Sequence, residues 1–219
     1  MKRDELARTI DHTALDPRTS ARRIRELCEE AREHGFHAVC VNPCYVPTAR
    51  DLLDASPVRV CTVVGFPLGS STKETKAFET ARAVSEGADE VDMVLWAAAL
   101  RDGALEPVAS EVRAVLSAAE GALVKVILET GLLEPREIGI ACEIAADAGA
   151  DFVKTSTGFG PRGASLEDVA IMKKASQGRV RIKASGGIRD AAAALAFLEA
   201  GAHRIGTSSG PEILKGCPS

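Results

Sequence analysis

The sequence predicts an α/β fold, a single-domain (βα)8 TIM barrel spanning residues 1–219. Three observations carry that prediction. The first is a recurring junction: HGFHAV at 34–39, EGADEV at 86–91, AGADFV at 148–153 and AGAHRI at 200–205. Each has a helical pattern before the glycine and a β-branched apolar run after it. Glycine just past a helix end accepts the left-handed conformation cheaply and stops the helix. Four αβ junctions exclude an all-α or all-β chain. The second is strict alternation of strand and helix patterns, which implies a parallel sheet with helices outside. The third is composition, with 46% apolar residues but only 4% aromatic. A core of Ala, Val, Leu and Ile suits helices packed on a buried parallel sheet.

In chain order, strands are expected at 8–12, 36–41, 58–64, 89–95, 122–128, 151–155, 180–184 and 203–207. Helices are expected at 20–34, 46–55, 72–86, 104–119, 135–148, 165–176 and 190–200. Ser71-x-x-Glu74 and Ser165-x-x-Asp168 read as capping signals. Pro135 and Pro211 suit a first helical turn, where a missing N–H costs nothing. Eight units in 219 residues lie near the small end for a barrel. A doubly wound sheet is the alternative, and it fits less well because no glycine-rich dinucleotide loop follows the first strand. No linker or composition shift marks a second domain.

Several function classes fall away. A net charge of −4 offers no basic footprint for nucleic acid. The N-terminal MKRDELARTI has no apolar core of a signal peptide. Met93–Leu100 is far shorter than the roughly 20 residues a bilayer needs. The six cysteines lie largely in apolar runs such as VRVCTVV and read as free thiols in a reducing cytoplasm. Cys40-x3-Cys44 has no matching second pair, so no metal is expected.

Active sites of such barrels gather at the C-terminal ends of the strands. The polar residues there are Asp11, His12 and Thr13, then Cys40, Asp92, Glu129, Lys154, Lys183 and the Ser208-Ser209 pair. Two lysines and an aspartate inside apolar strands are costly unless paired. Lysines at the ends of neighbouring strands lower each other's pKa, an arrangement a purely structural design avoids. A free lysine is less than about 0.1% neutral at pH 7, and lowering its pKa to about 7 raises the nucleophilic amine roughly a thousandfold. Lys154 and Lys183 are placed to be such a pair, with Asp92 to orient one of them and pass protons.

Gly186-Gly187 before a helix, and GTSSG before a short helix at 211–214, fit the phosphate site made by the loops after strands seven and eight. Gly158 to Gly163 formally matches a dinucleotide fingerprint, but Pro161 interrupts the turn and the helix starts too late. A mobile loop over the substrate, led by Thr157 and Gly158, is the better reading. His34, His37 and His203 fall at the opposite ends of the strands and read as structural. Lys125 lies mid-strand, where a carboxylate such as Glu129 would pair with it. Non-covalent isomerisation of a sugar phosphate and simple sugar-phosphate binding remain as rivals.

Eight blocks together resemble the 2-deoxyribose-5-phosphate aldolase family of class I aldolases: IDHTAL, VCVNP, TVVGFPLG, EVDMV, KVILETGLL, ADFVKTSTGF, IKASGGIR and RIGTSSG. The resemblance spans essentially the whole chain. It implies Schiff-base chemistry without metal or organic cofactor, in the catabolism of deoxyribose phosphate. It implies Lys154 as the Schiff-base lysine, Lys183 as the second lysine and Asp92 as the proton-relay aspartate. It implies substrate contacts at Asp11, Thr13, Cys40, Thr157, Gly158, Gly186, Gly187, Ser208 and Ser209. The expected partners are a sugar phosphate and small aldehydes, with no nucleic acid and no membrane, and a homodimer is left open. Two departures stand out. Phe159 occupies a position where some members carry a phosphate-holding lysine, and the chain ends LKGCPS rather than in a tyrosine-bearing tail.

Overall fold

The computed structural model describes residues 1–217, so Pro218 and Ser219 of the predicted domain and tail lie outside the described residues. The chain opens with α1 (Arg3–Ala7), β1 (Ile10–Ala14), α2 (Ala21–His34), β2 (Ala38–Val41), α3 (Val46–Leu52) and β3 (Arg59–Val64). It continues through α4 (Lys73–Ser85), β4 (Glu90–Val94), α5 (Ala97–Arg101), α6 (Leu105–Ala118) and β5 (Leu123–Ile127). The last third holds α7 (Pro135–Ala148), β6 (Phe152–Lys154), α8 (Leu166–Ser176), β7 (Arg181–Ser185), α9 (Ala191–Ala200), β8 (Arg204–Thr207) and α10 (Gly210–Lys215). The eight strands are parallel, follow chain order and close, with β8 pairing back onto β1. This is the predicted (βα)8 barrel.

Local chemistry explains the boundaries. Helix α2 starts at Ser20, whose hydroxyl accepts the Arg23 backbone N–H at 3.3 Å, and ends at Gly35 with φ 68°. Helix α8 is capped by Ser165 as expected. Helix α4 is capped by Thr72 rather than Ser71, because the Thr72 hydroxyl is the one that reaches the Thr75 N–H. Strand β1 begins two residues later than predicted, since Arg8 terminates α1. Helices α1 and α5 are five residues each, too short for periodicity to reveal them.

The larger apolar core lies between sheet and helices, where residues such as Val39, Val91, Val124 and Val153 meet Leu27, Val112 and Val169. One ion pair interrupts it. Lys76 of α4 is fully buried and donates to Glu111 of α6 at 2.5 Å, to the Gly69 carbonyl at 2.7 Å and to the Val94 carbonyl at 2.9 Å. Glu111 in turn accepts the Trp96 backbone N–H at 2.7 Å. This pair ties the loops after β3 and β4 together at the mouth of the barrel. No helix among the described residues is long and apolar enough to cross a bilayer.

Candidate active site

Side chains of a strand alternate between faces, so residues two apart share one. In β1 this sends Asp11 inward and His12 outward, where the His12 ring meets Glu30 at 2.7 Å and packs against Phe36. In β4 it sends both Glu90 and Asp92 inward. In β6, β7 and β8 it does the same for Lys154, Lys183 and Arg204. The usual barrel interior of branched aliphatic layers is here replaced by charge. Lys125, Lys154, Lys183 and Arg204 face Asp11, Glu90 and Asp92, seven ionisable groups in one connected network.

Asp92 is the hub. Its Oδ2 accepts Lys154 Nζ at 2.8 Å and Lys183 Nζ at 2.9 Å. Its Oδ1 accepts Lys125 Nζ at 2.7 Å. Lys183 reaches further, to Asp11 Oδ2 at 2.5 Å, and Arg204 holds the other Asp11 oxygen at 2.7 Å. Lys154 and Lys183 are register partners on adjacent strands. Room for Lys183 comes from Gly206 of β8, where an added Cβ would stand 3.0 Å from the Lys183 Cε.

The electrostatics differ from the sequence expectation. Burial alone would strip the charge from Lys183, but Asp11 and Asp92 outweigh it and hold the ammonium above its ordinary value. The like-charge depression expected for Lys183 is therefore overturned, because a carboxylate sits between the lysines. Burial would likewise raise the Asp92 carboxyl, yet Lys125, Lys154 and Lys183 hold it well below the usual carboxylate range. Lys125 pairs with Asp92 and, at 2.6 Å, with Glu90, and not with Glu129 as the sequence suggested. Glu129 lies beyond the strand end in a left-handed conformation (φ 51°) and accepts the Thr157 N–H at 3.2 Å as well as its hydroxyl.

Above the network opens a cavity of about 430 Å³. Thr13, Lys154, Thr157, Gly158, Gly186, Gly187 and Ser208 line it, as the sequence expected. Asp11, Cys40, Asp92 and Lys183 lie beneath, and Ser209 is outside the lining. Lys154 is thus the one lysine of the network that reaches the cavity, with 3% of its side chain exposed.

A family model described as DeoC/LacD family aldolase matches residues 6–216. The chain belongs to that aldolase family. It is 55% identical over 213 residues to deoxyribose-phosphate aldolase 1 of Bacillus licheniformis, covering 97% of this chain and 96% of the relative. It is 52% identical to the deoxyribose-phosphate aldolase of Thermus thermophilus, with the same coverage. Among solved structures, the deoxyribose phosphate aldolase of Aeropyrum pernix, described as a unique tetramer, superposes with a TM-score of 0.91 at 35% identity. That match covers 98% of this chain and 91% of the other.

Several features of this aldolase's site escape a linear reading. Glu90 and Arg204 open the EVDMV and RIGTSSG blocks but carry no assigned role there, and only the period-two alternation of EVD in β4 and RIG in β8 hints that they point inward. Arg189 and Arg23 also line the cavity. Arg23 is bound by both oxygens of Glu30, whereas Arg189 makes no ion pair among the described residues. The Gly158–Gly163 loop folds over the cavity and is pinned at its far end. The Ala164 N–H donates to the Gly186 carbonyl at 3.1 Å, and Arg162 clasps Asp168 and the Thr130 carbonyl. Gly163 permits that approach, since a Cβ there would fall 2.2 Å from the Gly186 oxygen. Phe159 lines the cavity and meets Phe66 edge-on at 5.5 Å. His37 and His203 hold structural contacts at the other end of the barrel, to Glu90 and to the Ile182 N–H.

Proposed function

We propose that Lys154 is the Schiff-base lysine of this class I aldolase, with Lys183 and Asp92 moving protons beside it. The reaction is the reversible cleavage of 2-deoxy-D-ribose 5-phosphate to acetaldehyde and D-glyceraldehyde 3-phosphate. One observation carries the residue assignment: Lys154 alone of the three network lysines faces the cavity, while sharing Asp92 Oδ2 with Lys183. The network sets four basic side chains against three carboxylates.

The neutral Lys154 amine attacks the C1 aldehyde of the open-chain sugar. Loss of water gives an iminium, which serves as the electron sink, so the chemistry calls for no metal or organic cofactor. The Asp92 carboxylate, acting through water, takes the proton of the C3 hydroxyl, and the Lys183 ammonium hydrogen-bonded to it passes a proton onward. The C2–C3 bond breaks and glyceraldehyde 3-phosphate leaves. The enamine is protonated at C2, and water releases acetaldehyde and restores the amine. Proton transfer by positioned groups is worth about 10²–10⁴-fold in rate. Binding of the remote phosphate positions the reacting carbons.

We place the phosphate against Gly186, Gly187, Ser208 and Ser209. Gly186 (φ 93°) and Gly187 (φ 82°) sit in a turn that frees backbone N–H groups ahead of α9. Arg189, exposed beside them, supplies the positive charge that Phe159 does not. Thr13, Thr157 and Gly158 contact the sugar, while Asp11 acts from beneath by holding Lys183, and Cys40 packs in the core below. The protein works in the cytoplasm as a homodimer in this reading. Exposed Leu68, Phe78 and Trp96 line two contiguous grooves and supply the apolar surface a partner copy would cover. Sedimentation at micromolar concentration is expected to give twice the chain mass, and Phe78→Glu to give the single-chain mass.

The deciding experiment adds 2-deoxyribose 5-phosphate and sodium borohydride and maps the reduced adduct by peptide mass. The adduct is expected on Lys154 and absent from Lys154→Ala. An adduct on Lys183 would reverse the roles of the two lysines.

A further inference from the structure

Cys40 and Cys61 are register partners on adjacent strands β2 and β3. Neighbouring strands lie about 4.7–4.9 Å apart, within the Cα spacing of about 4.4–6.8 Å that a disulfide needs. Both side chains turn into the barrel and pack in one small cluster with Leu15, Ala38 and Val63. Their sulfurs and an Asp92 carboxylate oxygen all lie within 4.8 Å of one another. Cys61 donates to Asp92 Oδ1 at 3.2 Å and accepts from Lys125 Nζ at 3.3 Å. The mechanism uses neither sulfur.

Three such ligand atoms suggest a metal at first sight. The geometry argues against it: Lys125 occupies Asp92 Oδ1 at 2.7 Å and reaches the Cys61 sulfur at 3.3 Å, so an ammonium already stands where a metal would. A cation beside a cysteine pair favours thiol reactivity instead. We propose that Cys40 and Cys61 are an oxidisable dithiol, which peroxide closes into a disulfide that reversibly shuts off the aldolase.

The neighbouring Cys61 holds the Cys40 thiol below its ordinary value despite burial, with Lys183 and Lys154 adding to the effect. Burial and the Cys40 neighbour push Cys61 up. Cys61 is also engaged by Asp92 and Lys125, which leaves Cys40 as the attacking sulfur and Cys61 as the resolving one. The Cys40 sulfur attacks one oxygen of hydrogen peroxide. The O–O bond breaks, the departing hydroxide takes up the thiol proton as water, and a sulfenic acid remains. The Cys61 sulfur then attacks that sulfenic sulfur. The S–O bond breaks, a second water leaves, and the S–S bond forms. Two electrons pass from the two thiols to one peroxide.

Access runs through Leu15, which lines the substrate cavity and packs against the cysteine cluster. Peroxide is close to water in size, and a rotamer change of one leucine admits it. Loss of activity follows from the role proposed for Asp92. The disulfide removes the S–H donor from Asp92 Oδ1 and draws both sulfurs to about 2.05 Å of each other, disturbing the carboxylate that Lys154 and Lys183 share.

The test uses the wild-type enzyme and a Cys44→Ser variant, Cys44 being exposed and outside the cavity. After peroxide, free thiols are alkylated and the protein is digested with trypsin without reduction. Cys61 is the sole cysteine of the tryptic peptide 60–73, and Cys40 shares peptide 33–50 with Cys44. The expected result is a link between these peptides in both proteins, rising in step with loss of turnover, with dithiothreitol restoring both. Inactivation without the link, loss of the link in Cys44→Ser, or a linked enzyme of full activity would each overturn the proposal. The link is read without substrate, so it stands or falls independently of the role of Lys154.

Discussion

At the scale of single residues, the site is governed by what one carboxylate can hold. Asp92 receives three ammonium groups on two oxygens. Lys183 divides itself between Asp92 and Asp11, and Arg204 completes Asp11 from the other side. Removing Lys183 leaves two buried carboxylates short of a cation and breaks the proton relay that runs beside Lys154 through Asp92. Lys183→Leu is expected to lower kcat by about 10²–10⁴-fold while KM changes little. Steady-state cleavage assays coupled to reduction of glyceraldehyde 3-phosphate measure it. A near-normal kcat would show that Lys183 serves the fold alone.

At the scale of elements, the strands aim the chemistry and the helices secure the mouth. A rigid strand end fixes Lys154 better than a loop could. The loops after β3 and β4 depend on the Lys76–Glu111 pair, buried between α4 and α6 with four well-made hydrogen bonds. Truncating one member of such a pair leaves an uncompensated buried charge and typically costs about 3–5 kcal/mol. Lys76→Met is expected to destabilise by that amount in urea unfolding. The double variant with Glu111→Leu should recover part of the loss, because no charge is then left alone. A Lys76→Met protein as stable as the parent would mean that Glu111 finds water.

At the scale of the whole molecule, the ionic interior links stability to pH. Asp11, Glu90 and Asp92 are held below their ordinary values by the lysines and Arg204, against the effect of burial. The folded state therefore binds fewer protons in acid than the unfolded chain. The stability these groups contribute is complete above the unfolded value of about 4 and is lost as pH falls through the depressed folded values. Lys125 and Lys183 are held above theirs by the same carboxylates, so their contribution persists below about pH 10 and fades only beyond it. The unfolding free energy is expected to be flat near neutrality and to drop below about pH 4. Asp92→Asn should show a shallower acid limb, and an unchanged limb would contradict this account.

Much of this was legible in the sequence because it is local. Glycine at helix ends, β-branched apolar runs and hydroxyl caps act over a few residues, and they determined eight strands, the barrel and the strands that carry Lys154, Lys183 and Asp92; Lys154 ends its strand as expected, whereas Lys183 lies mid-strand. Misjudgements were also local, as with Ser71, where the neighbouring Thr72 hydroxyl had the better reach. The tertiary structure alone decided who pairs with whom. Lys125 meets Glu90 and Asp92 rather than Glu129, Arg204 reaches Asp11 across 193 residues of chain, and Cys61 comes beside Asp92. Barrel closure brings β8 against β1 and turns eight separate inward faces into one small volume. There the strength of each charge is set by neighbours distant in the chain, and no spacing along the chain encodes that sum.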